Sequence, residues 1–121
     1  MNELWIEKHS FSKNDLLAFA WVSGDHNPIH YSESTVKSRG FEKLIVHGMC
    51  LYCWVYALAT KKNSNILIQG FDAKFSSITW VDEDIRVEKE NKSELEFKIS
   101  IYGNLNNELK CVFYIQYSQA T

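Results

Sequence analysis

Between residues 23 and 30 the chain reads Ser-Gly-Asp-His-Asn-Pro-Ile-His. The stretch carries a carboxylate (Asp25), an amide (Asn27) and two imidazoles (His26, His30). Gly24 permits backbone conformations that side chains resist. Pro28 fixes its own φ and keeps the preceding residue out of a helix. The segment therefore reads as a stiff loop. A carboxylate and an imidazole held on such a loop can share a water molecule, one taking a proton while the other orients the water or returns a proton. That is general acid–base chemistry. The same residues also have ordinary structural uses: Asp25 and Asn27 can cap the turn at Pro28, and His30 can be a buried structural histidine. The spacing of His26 and His30 would suit two zinc ligands on a helix, but Pro28 breaks such a helix, and no metal site is expected.

The loop resembles a known signature. Gly24-Asp25-x-Asn27-Pro28-Ile29-His30, preceded by Ser23, is similar to the motif of the MaoC-like (R)-specific enoyl-CoA hydratases, the hydratase 2 family. A second element, Val46-His47-Gly48-Met49, follows at that family's distance and opens an apolar stretch. The likeness runs from about Phe11 to the C-terminus and weakens after Gly70.

The resemblance implies the hotdog fold. It also implies a hydro-lyase that interconverts trans-2-enoyl and (R)-3-hydroxyacyl thioesters in fatty-acid metabolism. Asp25 and His30 would be the catalytic pair, Asn27 would support their hydrogen bonding, and Gly48 would bind the thioester oxygen. A free N–H at the start of a buried helix suits that last task, because unpaired donors and the helix dipole point the same way. No role falls on His26, which sits at the variable position of the motif, and His47 reads as structural. The substrate would be an acyl-CoA or an acyl-carrier-protein thioester, with no cofactor beyond the pantetheine arm that the substrate brings. A homodimer is implied, with the acyl chain running along the central helix. One departure stands out: where the family usually has a proline and then Gly-Asp, this chain reads Ile78-Thr79-Trp80-Val81-Asp82-Glu83. Two rival readings share the fold: an acyl-CoA thioesterase and a non-catalytic acyl-binding partner subunit.

The elements that must hold these residues can be placed by periodicity. Alternation over residues 3–9 predicts a first strand. Ser12 and Asp15 form a capping box for a helix ending near Val22, which delivers the chain into the loop. Ser32 caps a short helix that Gly40 stops. Residues 41–46 connect to a long helix whose body is Met49 to Thr60. It is apolar on nearly every face, so burial on several sides is expected. Residues 66–78, 85–90, 94–102 and 109–117 predict strands, with turns at 91–93 and 103–107. One strand, then helices, then several strands is an α+β pattern built on an antiparallel sheet wrapped around the long helix.

Composition sets the outer limits. The chain has 121 residues, 45% of them hydrophobic and 14% aromatic, which suits one domain over residues 1–121. A net charge of −2 with scattered lysines and arginines gives no footprint for nucleic acid. No basic region followed by an apolar run opens the chain, so no signal peptide is expected. The apolar run from Met49 to Ala59 is too short to cross a membrane. A cytoplasmic location is the expectation. Cys50 and Cys53 form a C-x-x-C inside that run, without turn residues, and read as core packing rather than a redox or zinc motif.

Overall fold

The computed structural model describes residues 2–120. Strand β1 (Asn2–His9) leads to helix α1 (Lys13–Ser23), a short 3-10 turn (Pro28–His30), helix α2 (Glu33–Ser38) and the long helix α3 (Gly48–Lys62). Strands β2 (Ile66–Phe75), β3 (Ile85–Ser93), β4 (Glu96–Gly103) and β5 (Leu109–Gln119) follow. All the paired strands are antiparallel, in the order β1-β3-β4-β5-β2. The α+β hotdog expectation is met. Among the described residues no helix is long and apolar enough to cross a membrane.

Register places the core. Val87 opposes Ile101, Ile99 opposes Phe113, and Phe97 opposes Ile115, so one face of the sheet presents a continuous apolar surface. Against it lie Leu51, Val55 and Ala59 of α3, with Leu16 of α1 and Val36 of α2 joining the cluster. Helix starts follow the caps that the sequence offers. Ser12 Oγ accepts from Asp15 N at 3.2 Å, and Asp15 Oδ2 accepts from Ser12 N at 2.8 Å. Ser32 Oγ accepts from Thr35 N at 3.3 Å. Gly24 ends α1 at φ +78°, with its N–H bonded to the Ala20 carbonyl. Nothing would meet a Cβ there, so its glycine serves the left-handed backbone alone.

Several local expectations need correction. The strand read over 66–78 stops at Phe75, because the N–H groups of Ser76 and Ser77 both turn to the Lys110 carbonyl. The chain then pairs with 44–46 instead, through an Ile45–Trp80 bridge. Residues 91–93 are not a turn but the end of β3; the turn is Glu94–Leu95, and Ser93 opposes Glu96. Helix α3 is buried on the sheet side, yet Met49 and Tyr56 are exposed. Cys50 is buried as expected, but Cys53 is exposed; Cys111 on β5 is buried as well. Asp82 stands at φ +61° in the segment where the resembling family carries Gly-Asp. An aspartate holds this left-handed conformation, being one of the side chains that tolerate it. Its N–H is held by the Phe11 carbonyl at 2.8 Å.

The 76–84 segment is anchored by a buried cation. Lys110 is 1% exposed, and its Nζ donates to the Ile78 carbonyl, Glu83 and Glu108 at 2.8–2.9 Å. Burial pulls its pKa down, but the two carboxylates outweigh that and hold it above the ordinary lysine value. A raised pKa contributes stability fully below the unfolded-state value, and that contribution is lost as pH rises through the folded-state one. Lys110→Met is expected to lower unfolding free energy by about 3 kcal/mol near neutrality, because it strands two carboxylates and a carbonyl. Urea denaturation checks this, and the gap between variant and wild type should narrow in strongly alkaline buffer, where the wild-type lysine loses its proton.

Candidate active site

The loop after α1 is built from nested turns. Asp25 N donates to Ser23 Oγ, Asn27 N to Asp25 Oδ1, and Ile29 N to Asn27 Oδ1, at 3.1–3.3 Å. Asn27 thus caps the 3-10 turn that carries His30, with Pro28 at its first position. The structural use of Asp25 and Asn27 is real, and it does not compete with chemistry. Asp25 spends Oδ1 on the loop and turns Oδ2 toward His30 Nε2, 3.9 Å away.

His30 is buried, 6% exposed, while Asp25 lies open to solvent. The His30 Nδ1 sits 2.6 Å from the Ile45 carbonyl. A carbonyl can only accept, so Nδ1 carries a proton, and whenever the ring is neutral it is the Nε2 lone pair that faces Asp25. A separation of 3.9 Å is too long for a direct hydrogen bond but lets one water reach both atoms at about 2.8 Å. Both are acceptors, so such a water points its two hydrogens inward and a lone pair outward.

The Ile45 carbonyl is the member of this arrangement that sequence reading missed, since a backbone acceptor leaves no mark on residue type. Ile45 N in turn donates to the Ile29 carbonyl at 3.1 Å. Val46 N bonds the Thr79 carbonyl and Val81 N the Leu44 carbonyl, at 2.9 and 3.0 Å. The connector is therefore a short piece of strand, stitched on one side to the loop and on the other to residues 79–81.

Helix α3 begins beside the pair. Its N-cap, His47, is fully buried and stacks on His30, with ring centroids 3.6 Å apart and planes at 19°. No side chain caps the helix start. The first N–H groups, including that of Gly48, are the ones a helix cannot satisfy within itself. A groove of about 330 Å³ lies there between Val46, Gly48, Leu51, Phe75 and Ile78. A Cβ on Gly48 would meet the Phe75 ring at 3.4 Å, ordinary contact, so packing inside the chain does not demand glycine. A second groove of about 400 Å³, walled by Phe11, Phe19, Cys50 and Trp54, lies between α1 and α3. A wider one lies at Phe41 and Trp80, and none of the three is lined by Asp25 or His30.

Burial lowers the His47 pKa, the neighbouring His30 lowers it further, and the Asp25 side opposes both. Burial also pushes the Cys50 thiol up to about 11 and Cys111 to about 12, which leaves both as inert thiols. Asp25, His30 and His47 bring donor atoms within 4.8 Å of one another, the spacing of a metal site. The stacked rings speak against that use. An imidazole lone pair lies in its ring plane, and two nearly parallel planes 3.6 Å apart share no point at which an ion could sit. His26 stays exposed, with its ring against Trp21. The aromatic residues of α3 divide. Tyr52 faces the sheet and donates to the Phe71 carbonyl at 2.9 Å, Trp54 stacks on His9, and Tyr56 is exposed.

The chain can now be set beside known proteins. It is 27% identical over 111 residues to a mitochondrial 3-hydroxyacyl-[acyl-carrier-protein] dehydratase of Arabidopsis thaliana, covering 85% of this chain and 66% of that protein. It is 28% identical over 69 residues to the enoyl-CoA hydratase ChsH3 of Mycobacterium tuberculosis, covering 54% of this chain and 24% of that one. The matched region thus spans less than two thirds of either curated relative. In structure it is similar to an (R)-hydratase from A. caviae involved in PHA biosynthesis, with a TM-score of 0.82 at 20% identity over 98% of this chain and 93% of that one. The HadBC (3R-hydroxyacyl-ACP dehydratase) complex of M. tuberculosis gives the same TM-score at 11% identity, covering 98% and 95%. Identities this low speak for the shared fold. The family described as MaoC like domain matches residues 5–110. Because that match runs from β1 into β5 and takes in both the Asp25–His30 loop and the start of α3, the chain belongs to the MaoC-like domain family.

Proposed function

We propose that this chain is a hydro-lyase that interconverts trans-2-enoyl and (R)-3-hydroxyacyl thioesters, with Asp25 and His30 as its catalytic pair. The observation that carries the reading is the His30 ring. Its proton is fixed on Nδ1 by the Ile45 carbonyl, and its free Nε2 stands 3.9 Å from Asp25 Oδ2. In the hydration direction, His30 Nε2 takes a proton from the bridging water as the water oxygen bonds to C3. Asp25 accepts the other hydrogen and aims the lone pair. The π electrons of C2–C3 move toward the thioester oxygen, where the Gly48 N–H donates to the developing charge. As that charge collapses back, the imidazolium returns its proton to C2. Water is added in full, and the protein ends unchanged. The reading uses protein groups alone; CoA or a carrier's phosphopantetheine enters as part of the substrate. Within the family, both a dehydratase of acyl-carrier-protein substrates and an enoyl-CoA hydratase are among the relatives, which supports this class over thioester hydrolysis.

A second copy of the chain belongs to the proposal. Strand β2 ends the sheet order, so its outer edge is unpaired among the described residues. Leu67 and Phe75 on that strand are exposed, as are Met49 and Tyr56 on the neighbouring helix. An open edge with an apolar border is what two-fold pairing covers. Relatives of the fold include two-protein complexes, ChsH1-ChsH2 and HadBC, but an edge of this kind suits an identical partner. Light scattering at micromolar concentration is expected to give a dimer, and an active preparation that is wholly monomeric overturns this.

Crotonyl-CoA is the first substrate to test. Loss of enoyl absorbance without release of free thiol is expected; thiol release without hydration would make the protein a thioesterase and overturn the reading. Asp25→Asn and His30→Ala are each expected to lower kcat by about 10²–10⁴, and the double variant by little more than the worse single. Gly48→Ala should fold, since Phe75 tolerates the methyl and alanine suits a helix, yet lose about 10²-fold or more in kcat as the methyl crowds the thioester oxygen. Tyr52, Phe71 and Phe113 pack together between α3 and the sheet. Short acyl chains are therefore expected to be preferred, and a kcat/KM that rises from C4 to C12 enoyl-CoA would contradict that.

A further inference from the structure

His47 reads from sequence as a structural residue, and its burial is complete. Packing alone does not account for it. Its Nδ1 is buried with no hydrogen-bond partner among the described residues, a cost that a phenyl ring of similar size would avoid. What the imidazole gains lies entirely in the site. Its Nε2 is 3.4 Å from the Asp25 carbonyl, which can only accept, so Nε2 carries the proton. Its face lies flat on His30 at 3.6 Å, while Phe19 meets its ring edge-on at 4.8 Å. Its own carbonyl accepts from Cys50 and Leu51, so it is also the residue from which α3 is launched and which sets the place of Gly48.

We propose that His47 is a positioning residue for the catalytic pair, fixing the ring plane of His30 by stacking and the backbone of Asp25 by hydrogen bonding. This rests on the reading of Asp25 and His30 given above. The His30 ring has one hydrogen bond, at Nδ1, which defines an axis but leaves rotation about it open. The stacked face of His47 closes that freedom. Asp25 is tethered to Ser23 through its N–H and to Asn27 through Oδ1. The bond to its carbonyl holds the peptide that follows, so Oδ2 is aimed from both sides. Reacting groups displaced by about 1 Å lose on the order of 10²-fold in rate, so loss of these constraints acts on turnover more than on binding.

The test uses two variants with different defects. His47→Phe keeps the stacked ring and removes the N–H; His47→Gln keeps an N–H of similar reach and removes the ring. Each is expected to lower kcat by about 10-fold or more with KM changed by less than about 3-fold. In a His30→Ala background His47→Gln should have no further effect, since there is no longer a ring to place. A residue that serves only folding would lower both backgrounds equally by reducing the folded fraction. Wild-type kcat in both variants, an undiminished loss in the His30→Ala background, or failure of both variants to fold by circular dichroism would each overturn the proposal. If the wild-type protein does not hydrate enoyl thioesters, the reading of the site fails separately. The positioning role is then read from the through-space NMR contacts of the His30 ring protons: a single ring orientation is expected to give way to averaged contacts in His47→Gln, and unchanged contacts overturn the proposal.

Discussion

One hydrogen bond sets the terms for the site: the 2.6 Å contact from His30 Nδ1–H to the Ile45 carbonyl. Without it a neutral imidazole would share its proton between two nitrogens, and only part of the population would present a lone pair toward Asp25. Ile45 answers with its own N–H to the Ile29 carbonyl, so the loop and the connector are tied twice within two residues. The connector is itself held to residues 79–81, and those follow Ile78, whose carbonyl is gripped by the buried Lys110. The chemistry of one ring is thereby linked to a cation on β5, on the far side of the irregular segment.

The electrostatics of the site follow from unequal burial. His30 and His47 are enclosed while Asp25 is open. Two stacked imidazoles within 3.6 Å discourage a second positive charge, and burial reinforces this for His47. A neutral His47 donates one N–H and leaves the other nitrogen bare. The start of α3 meanwhile supplies uncapped N–H groups at Gly48. A proton acceptor at His30 and uncapped donors at the start of α3 are therefore neighbours in the fold, joined by the stacked ring of His47.

Much of this was legible in the residues. Gly24, Asp25, Asn27, Pro28 and His30 define a loop by local rules alone, because glycine, proline and Asx side chains act within two or three residues of themselves. The capping box at Ser12 and Asp15 is equally local, and the structure has it as read. The long apolar run named the central helix. Its burial was overestimated, because apolar character cannot distinguish a face packed on the sheet from one left open at Met49 and Tyr56.

What the sequence determined by itself, then, is the set of groups and the stiffness of the loop that bears them. Their types, and a backbone constrained at Gly24 and Pro28, follow from covalent structure and short-range hydrogen bonding. Tertiary structure alone decided how they are aimed. The acceptor for His30 is a backbone carbonyl fifteen residues away, and any residue type supplies one. The ring that fixes its plane comes from the start of another helix. The end of β2 at Phe75 was settled by a carbonyl on β5 and a buried lysine beside it. Contacts made through backbone atoms, or between residues remote in the chain, carry no local signature, so they emerge only once the sheet has brought their partners together.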